Sequence, residues 1–210
     1  MKRWNLAVCL LIFIAPVVGF AESQERKGQR LFAGCLKKVD DKATLKAGVF
    51  ICKGDRDPEP FGGNGRACGD CHVPGDNFGL SAERIATLPR DHPFFFRGLD
   101  EDQNLLRAHG LVHVTVPGRI DEFRQTPKLV HLQSTCDKKG RCDSLGLNGD
   151  RVTNLCVFTF EAIRNHMAKS VNRVAGQDFR VPTKKECKWL VAYMVSDLVA
   201  DQDERNEKNR

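Results

Sequence analysis

The chain has 210 residues, with 33 Lys and Arg against 27 Asp and Glu, a formal charge of +6. That length suits one domain, or one small domain with decorations. Its basic residues are interleaved with acids rather than gathered in a block or on one face, which argues against nucleic acid as a partner.

Lys2 and Arg3 precede an apolar run from Leu6 to Phe20, and Gly19-Phe20-Ala21 places small residues at the minus-three and minus-one positions. This pattern predicts a secretory signal peptide over 1–21. Cys9 follows Val8 rather than a small residue, so it is not read as a lipoprotein cysteine. No later segment reaches membrane length, so no membrane insertion is expected after cleavage. Removing the signal leaves 31 basic against 27 acidic side chains, a formal +4.

Residues 22–60 read as an N-terminal extension, with a helix over Glu25–Lys37. The Gly- and Pro-rich run Asp57-Pro58-Glu59-Pro60-Phe61-Gly62-Gly63-Asn64-Gly65 then marks a break. Further helices are expected over Arg66–Cys71, Ser81–Leu88, Gln103–His109, Phe158–Asn172 and Lys184–Val199, and a short strand over Leu111–Val116. In the last helix Cys187, Leu190, Val191, Met194, Val195 and Leu198 share one face, and Thr183 with Glu186 forms a capping box. The polar tail 200–210 is expected to fray.

Cys68-Gly69-Asp70-Cys71-His72 carries the most chemistry. Two thiols at this spacing can form thioether links to the two vinyl groups of one porphyrin, and the adjacent histidine can reach the iron. The spacing therefore predicts one covalent haem c, held by Cys68 and Cys71 with His72 as proximal ligand. A thioredoxin-like dithiol expects a βαβ context, and zinc expects a second Cys/His pair at metal spacing; neither is evident. Six other cysteines remain in the processed chain. They allow fifteen pairings, and spacing favours Cys35 with Cys52, Cys136 with Cys142, and Cys156 with Cys187.

Five segments occur in order, the first containing the Cys-x-x-Cys-His motif: Asn64 to His72, Asn77-Phe78-Gly79-Leu80-Ser81, Phe123-Arg124-Gln125-Thr126-Pro127-Lys128-Leu129, Glu161-Ala162-Ile163-Arg164-Asn165-His166, and Asp178-Phe179-Arg180-Val181-Pro182-Thr183. From Phe61 to Ser196 the chain thereby resembles the cytochrome c peroxidase-like branch of bacterial c-type cytochromes, the family of the di-haem peroxidases. The resemblance implies a mainly α fold, with a cytochrome c-like haem domain over 61–199 carrying long loops and stapled by disulfides. Di-haem members pair two such domains, whereas this chain has a single attachment motif.

The family places its distal iron ligand on the helix around Glu161. Ungapped matching puts His166 at that position, and a one-residue slip would put Met167 there. Successive residues on a helix point about 100° apart, so one of the two is expected to face the iron. Met194 is a weaker candidate. Arg124, in the segment resembling the family's Arg-Thr-Pro signature, is expected near the haem, where it could pair with a propionate. His92, His109, His113 and His131 form no metal-binding spacing, although His113 or His131 could approach the haem. Phe94-Phe95-Phe96 reads as core or haem-edge packing.

The expected function is electron transfer by a periplasmic or secreted mono-haem cytochrome, exchanging electrons with a redox partner protein. A peroxidase-like oxidoreductase with a displaceable distal ligand and a haem-based binding or sensing module remain as alternatives.

Overall fold

The computed structural model describes residues 21–114, 122–143 and 153–208. Apart from Ala21 the expected signal peptide lies outside them, as do Thr115 and Val116 of the expected strand. Helix α1 (Gln24–Ala33) starts at Ser23, whose hydroxyl accepts from the Arg26 N–H, and stops at Gly34. Gly34 takes φ 70°, and its N–H closes back on the carbonyls of Arg30 and Leu31, so the helix ends four residues before the expected Lys37. β1 (Lys38–Val39), α2 (Asp41–Ala47) and β2 (Cys52–Lys53) follow. The two strands pair antiparallel, with the Cys35–Cys52 disulfide beside them.

The Cys-x-x-Cys-His motif begins as a single 3-10 turn over Cys68–Asp70 rather than an α-helix. Helices α3 (Ala82–Thr87) and α4 (Gln103–His109) lead to the antiparallel pair β3 (Leu111–Val114) and β4 (Glu122–Gln125), in which Val112 faces Arg124 and His113 faces Phe123. The short α5 (Leu132–Thr135) runs into the Cys136–Cys142 disulfide. Helix α6 (Leu155–His166) begins earlier than its apolar pattern suggests, because the Asn154 side chain caps the N–H groups of Cys156 and Val157. It also ends at His166, six residues short of the expected Asn172.

Helix α7 (Lys184–Met194) starts with the expected Thr183/Glu186 capping box. The Ser196 hydroxyl donates to the Tyr193 carbonyl at 2.6 Å, taking an acceptor at the helix end. The helix expected to reach Val199 is thus broken, and α8 (Asp197–Ala200) resumes after Ser196. Within the tail expected to fray, α9 (Gln202–Lys208) buries Gln202, and Asn206 Nδ2 donates to the Pro74 carbonyl at 3.0 Å.

Helices α1 and α7 pack closely. A Cβ at Gly28 would lie 1.9 Å from the Trp189 carbonyl oxygen, so only glycine permits the approach. The contact seats Phe32 edge-on against Tyr193, ring centroids 5.2 Å apart, both fully buried. Phe32, from the expected N-terminal extension, belongs to the same core as Phe61, Phe78, Ile163 and Leu190. A second cluster gathers Phe94, Phe95, Ile85 and Leu106, which places the Phe94–Phe95 pair in the core.

The molecule is about 44% helical, with two two-stranded sheets among the described residues. It is mixed helix and sheet, and the mainly α expectation holds only loosely. Cys156–Cys187 completes three disulfides, the pairing that spacing favoured, and these fit an oxidising extracellular or periplasmic setting. No described helix is long and apolar enough to cross a membrane.

Candidate functional site

Cys68, Cys71 and His72 open onto a cavity of about 350 Å³, a size typical of ligand pockets. Of the eight described cysteines, six are bridged; the two that are not are Cys68 and Cys71. Burial pushes both thiols up, Cys71 to about 12. Reactive dithiol motifs need the opposite shift, so this pair is poorly suited to thiol–disulfide exchange.

Several residues hold the turn. The Asp70 carboxylate accepts from the Ala67 N–H at 2.7 Å and from Arg56 Nη1 at 2.7 Å, the latter reaching in from the extension. His72 is oriented by the loop that follows it, where its Nδ1 lies 2.7 Å from the Phe78 carbonyl oxygen. A carbonyl can only accept, so Nδ1 carries the proton and Nε2 keeps its lone pair, the tautomer a metal-ligating histidine needs. To present that carbonyl, Asn77 and Phe78 adopt φ values of 56° and 57°. A left-handed Phe is strained, and burial of its ring among Phe32, Phe50 and Tyr193 opposes the strain. Burial also drives His72 down to about 4, against the upward pull of the Phe78 and Pro127 carbonyls.

His166 and Met167 both line the same cavity. Helix α6 stops at His166, leaving Met167 outside the helix at φ −117°, ψ 2°, so the step of about 100° between helical neighbours does not apply to this pair. Burial lowers His166 to about 3, aided by the positive charge of Arg66, so its imidazole is neutral and able to ligate. Its Nδ1 is buried with no hydrogen-bond partner among the described residues. Met194 also reaches the cavity wall.

Arg124 and its cross-strand neighbour Val112 line one side. Arg124 Nε donates to Glu122 Oε2 at 2.6 Å, so the guanidinium expected beside a propionate is paired with a carboxylate of its own strand. His131 lines the cavity as well. His113 does not: strand alternation turns it to the other face, stacked on Phe123 with Nδ1 3.1 Å from Asp100. His92 Nδ1 accepts from the Phe94 N–H in its own turn, and His109 sits in the last turn of α4.

Two residues at the site have no signal of their own in the sequence. Arg66 and Glu101 form a bidentate ion pair, with Nη1 2.8 Å from Oε1 and Nη2 2.6 Å from Oε2, their side chains 2% and 1% exposed. Burial alone would lower the Arg66 pKa; the hydrogen bonds and charge of Glu101 reverse this and raise it.

The donor set fits a covalently held haem better than a bare ion. Two unbridged thiols, His72 and a second histidine, His166, with an unsatisfied ring nitrogen line one apolar cavity. Among the described residues no three His, Cys, Asp or Glu side chains are gathered to hold a bare metal ion. No family model, curated protein or solved structure matches this chain.

Proposed function

We propose that this protein is an exported mono-haem c-type electron carrier with a cytochrome c-like haem domain, working in the periplasm or secreted. Cys68 and Cys71 carry the thioether links, His72 is the proximal ligand and His166 the distal one. The observation that carries this reading is that the two unbridged cysteines and His72 share a cavity with His166 and Met167, while every other described cysteine is paired. The bound haem iron supplies reversible one-electron exchange.

The chain's part is to hold and shield. The Phe78 carbonyl orients His72, Phe32 and Leu155 exclude water from the cavity, and Arg124 and Lys128 place positive charge on its wall, where the carboxylates of a porphyrin would be accommodated. A redox partner protein exchanges the electron.

The test is chemical. Denatured protein should keep its pigment through acidic organic extraction and give a c-type pyridine haemochrome with one haem per chain; extraction of the pigment would overturn the reading. The Cys68→Ala, Cys71→Ala double variant should lose the covalent pigment. A carrier should be low-spin in its ferric form and turn over no peroxide, whereas a high-spin ferric protein with peroxide turnover would replace the carrier by an enzyme.

A further inference from the structure

His166 and Met167 are neighbours on the same cavity wall, one an imidazole and the other a thioether. Which of them meets the iron depends on how the end of α6 is held. The last carbonyls of a helix lack partners within it, and here they are taken by residues just before the haem motif. The Asn64 N–H donates to the Met167 carbonyl at 3.0 Å. Asn64 Nδ2 and Arg66 Nη1 each donate to the His166 carbonyl at 3.0 Å. Gly63 lies so close behind that a Cβ there would sit 1.8 Å from the Met167 oxygen.

Arg66 is itself immobilised. Besides His166 and both Glu101 oxygens, Nε donates to the Pro93 carbonyl at 3.1 Å and Nη2 to the Phe94 carbonyl at 2.5 Å. All five of its N–H donors are engaged. Asn64 Oδ1 accepts from the Arg66 N–H at 3.1 Å, joining the two residues. A buried, fully bonded guanidinium is a rigid point of reference, and buried ion pairs are best attested as devices that fix register.

We infer that Asn64 and Arg66 act as a register lock: they fix the carbonyl end of α6 so that His166 rather than Met167 is the distal ligand. Both are positioning residues, acting on the backbone of the ligand. Adding or removing one residue of helix turns the chain by about 100°, enough to exchange the side chain presented. The inference rests on the haem reading above.

The experiment uses the haem-loaded protein and the variants Asn64→Ala, Arg66→Lys and Arg66→Lys/Met167→Leu. Covalent haem content is measured first by pyridine haemochrome. Its absence from the parent protein removes the functional reading and the lock with it, whereas the outcomes below bear on the lock alone. The parent should show histidine ligation without the near-infrared sulfur-to-iron band. Asn64→Ala and Arg66→Lys should gain that band and shift the reduction potential upward, and adding Met167→Leu should abolish both changes. A general loss of stability would not produce a sulfur band that depends on Met167. If Arg66→Lys does not accumulate, Asn64→Ala decides, since it leaves the Arg66–Glu101 pair in place. Folded, haem-replete variants with unmixed histidine ligation would overturn the lock, as would a parent protein already ligated by sulfur.

Discussion

Arg66 illustrates how one residue can carry much of a site without announcing itself. It stands two positions before Cys68 in a recognisable segment, yet its ion-pair partner, Glu101, is 35 residues away and belongs to no motif. That distance is set by the path of the chain around the Phe94–Phe95 core, which sequence spacing does not encode. Cys68, Cys71 and His72 were legible because their chemistry is local. His166 and Met167 were legible as a pair but not in their geometry, since the helix end that frees Met167 is made by Asn64 and Arg66. Removing one member of a buried ion pair leaves the other charge uncompensated, at a cost of about 3–5 kcal/mol. Glu101→Ala should lower the unfolding free energy by that amount in urea denaturation, and Glu101→Gln, which keeps an acceptor for Arg66, by less.

Five of the six expected helices are present, most with shifted ends, whereas α2, α5 and α9 were not foreseen. Gln103–His109 matches its expected span, because Asp102 caps one end and Gly110 the other. Some of the errors fall where a side chain took a backbone group, as Ser196 does at the end of α7, and one where Gly34 turned left-handed at the end of α1. The α1–α7 contact was not legible, since nothing in a lone glycine names its neighbour. Gly28→Ala should gain about 1 kcal/mol of helix propensity and lose more by overpacking, about 3 kcal/mol, because the obstructing atom is backbone that cannot swing away. Denaturant midpoints would show a net destabilisation. The capping box of α7 gives a pH signature. Burial would raise the Glu186 pKa, but hydrogen bonds from Arg180 and Thr183 outweigh it and hold the carboxyl below its usual range. Its stabilisation is therefore present above the unfolded carboxyl pKa and lost as pH falls through the lower folded one. Glu186→Gln should cost about 1 kcal/mol at neutral pH, with the two proteins converging in acid. A gap that persists unchanged in acid would show that the carboxylate charge is not the cause.

Across the whole molecule the three disulfides close loops spanning 31, 17 and 6 residues. Chain entropy assigns them about 4, 3 and 2 kcal/mol respectively. Replacing Cys156 and Cys187 together by Ser should thus lower thermal stability most, and the Cys136/Cys142 pair least, as followed by calorimetry on each double variant. The partnership of α1 with α7 has a further consequence, in time rather than in space. Phe32 precedes the thiols in the chain, whereas Met194 follows them by more than a hundred positions, yet both line the same cavity. A polypeptide delivered from its N-terminus forward presents Cys68 and Cys71 well before the residue that completes their enclosure. Until that last helix emerges, Cys68 and Cys71 lack the part of their cavity wall that Met194 supplies. On the haem reading proposed above, the order of synthesis would leave the two thiols open to a porphyrin until the late helix docks.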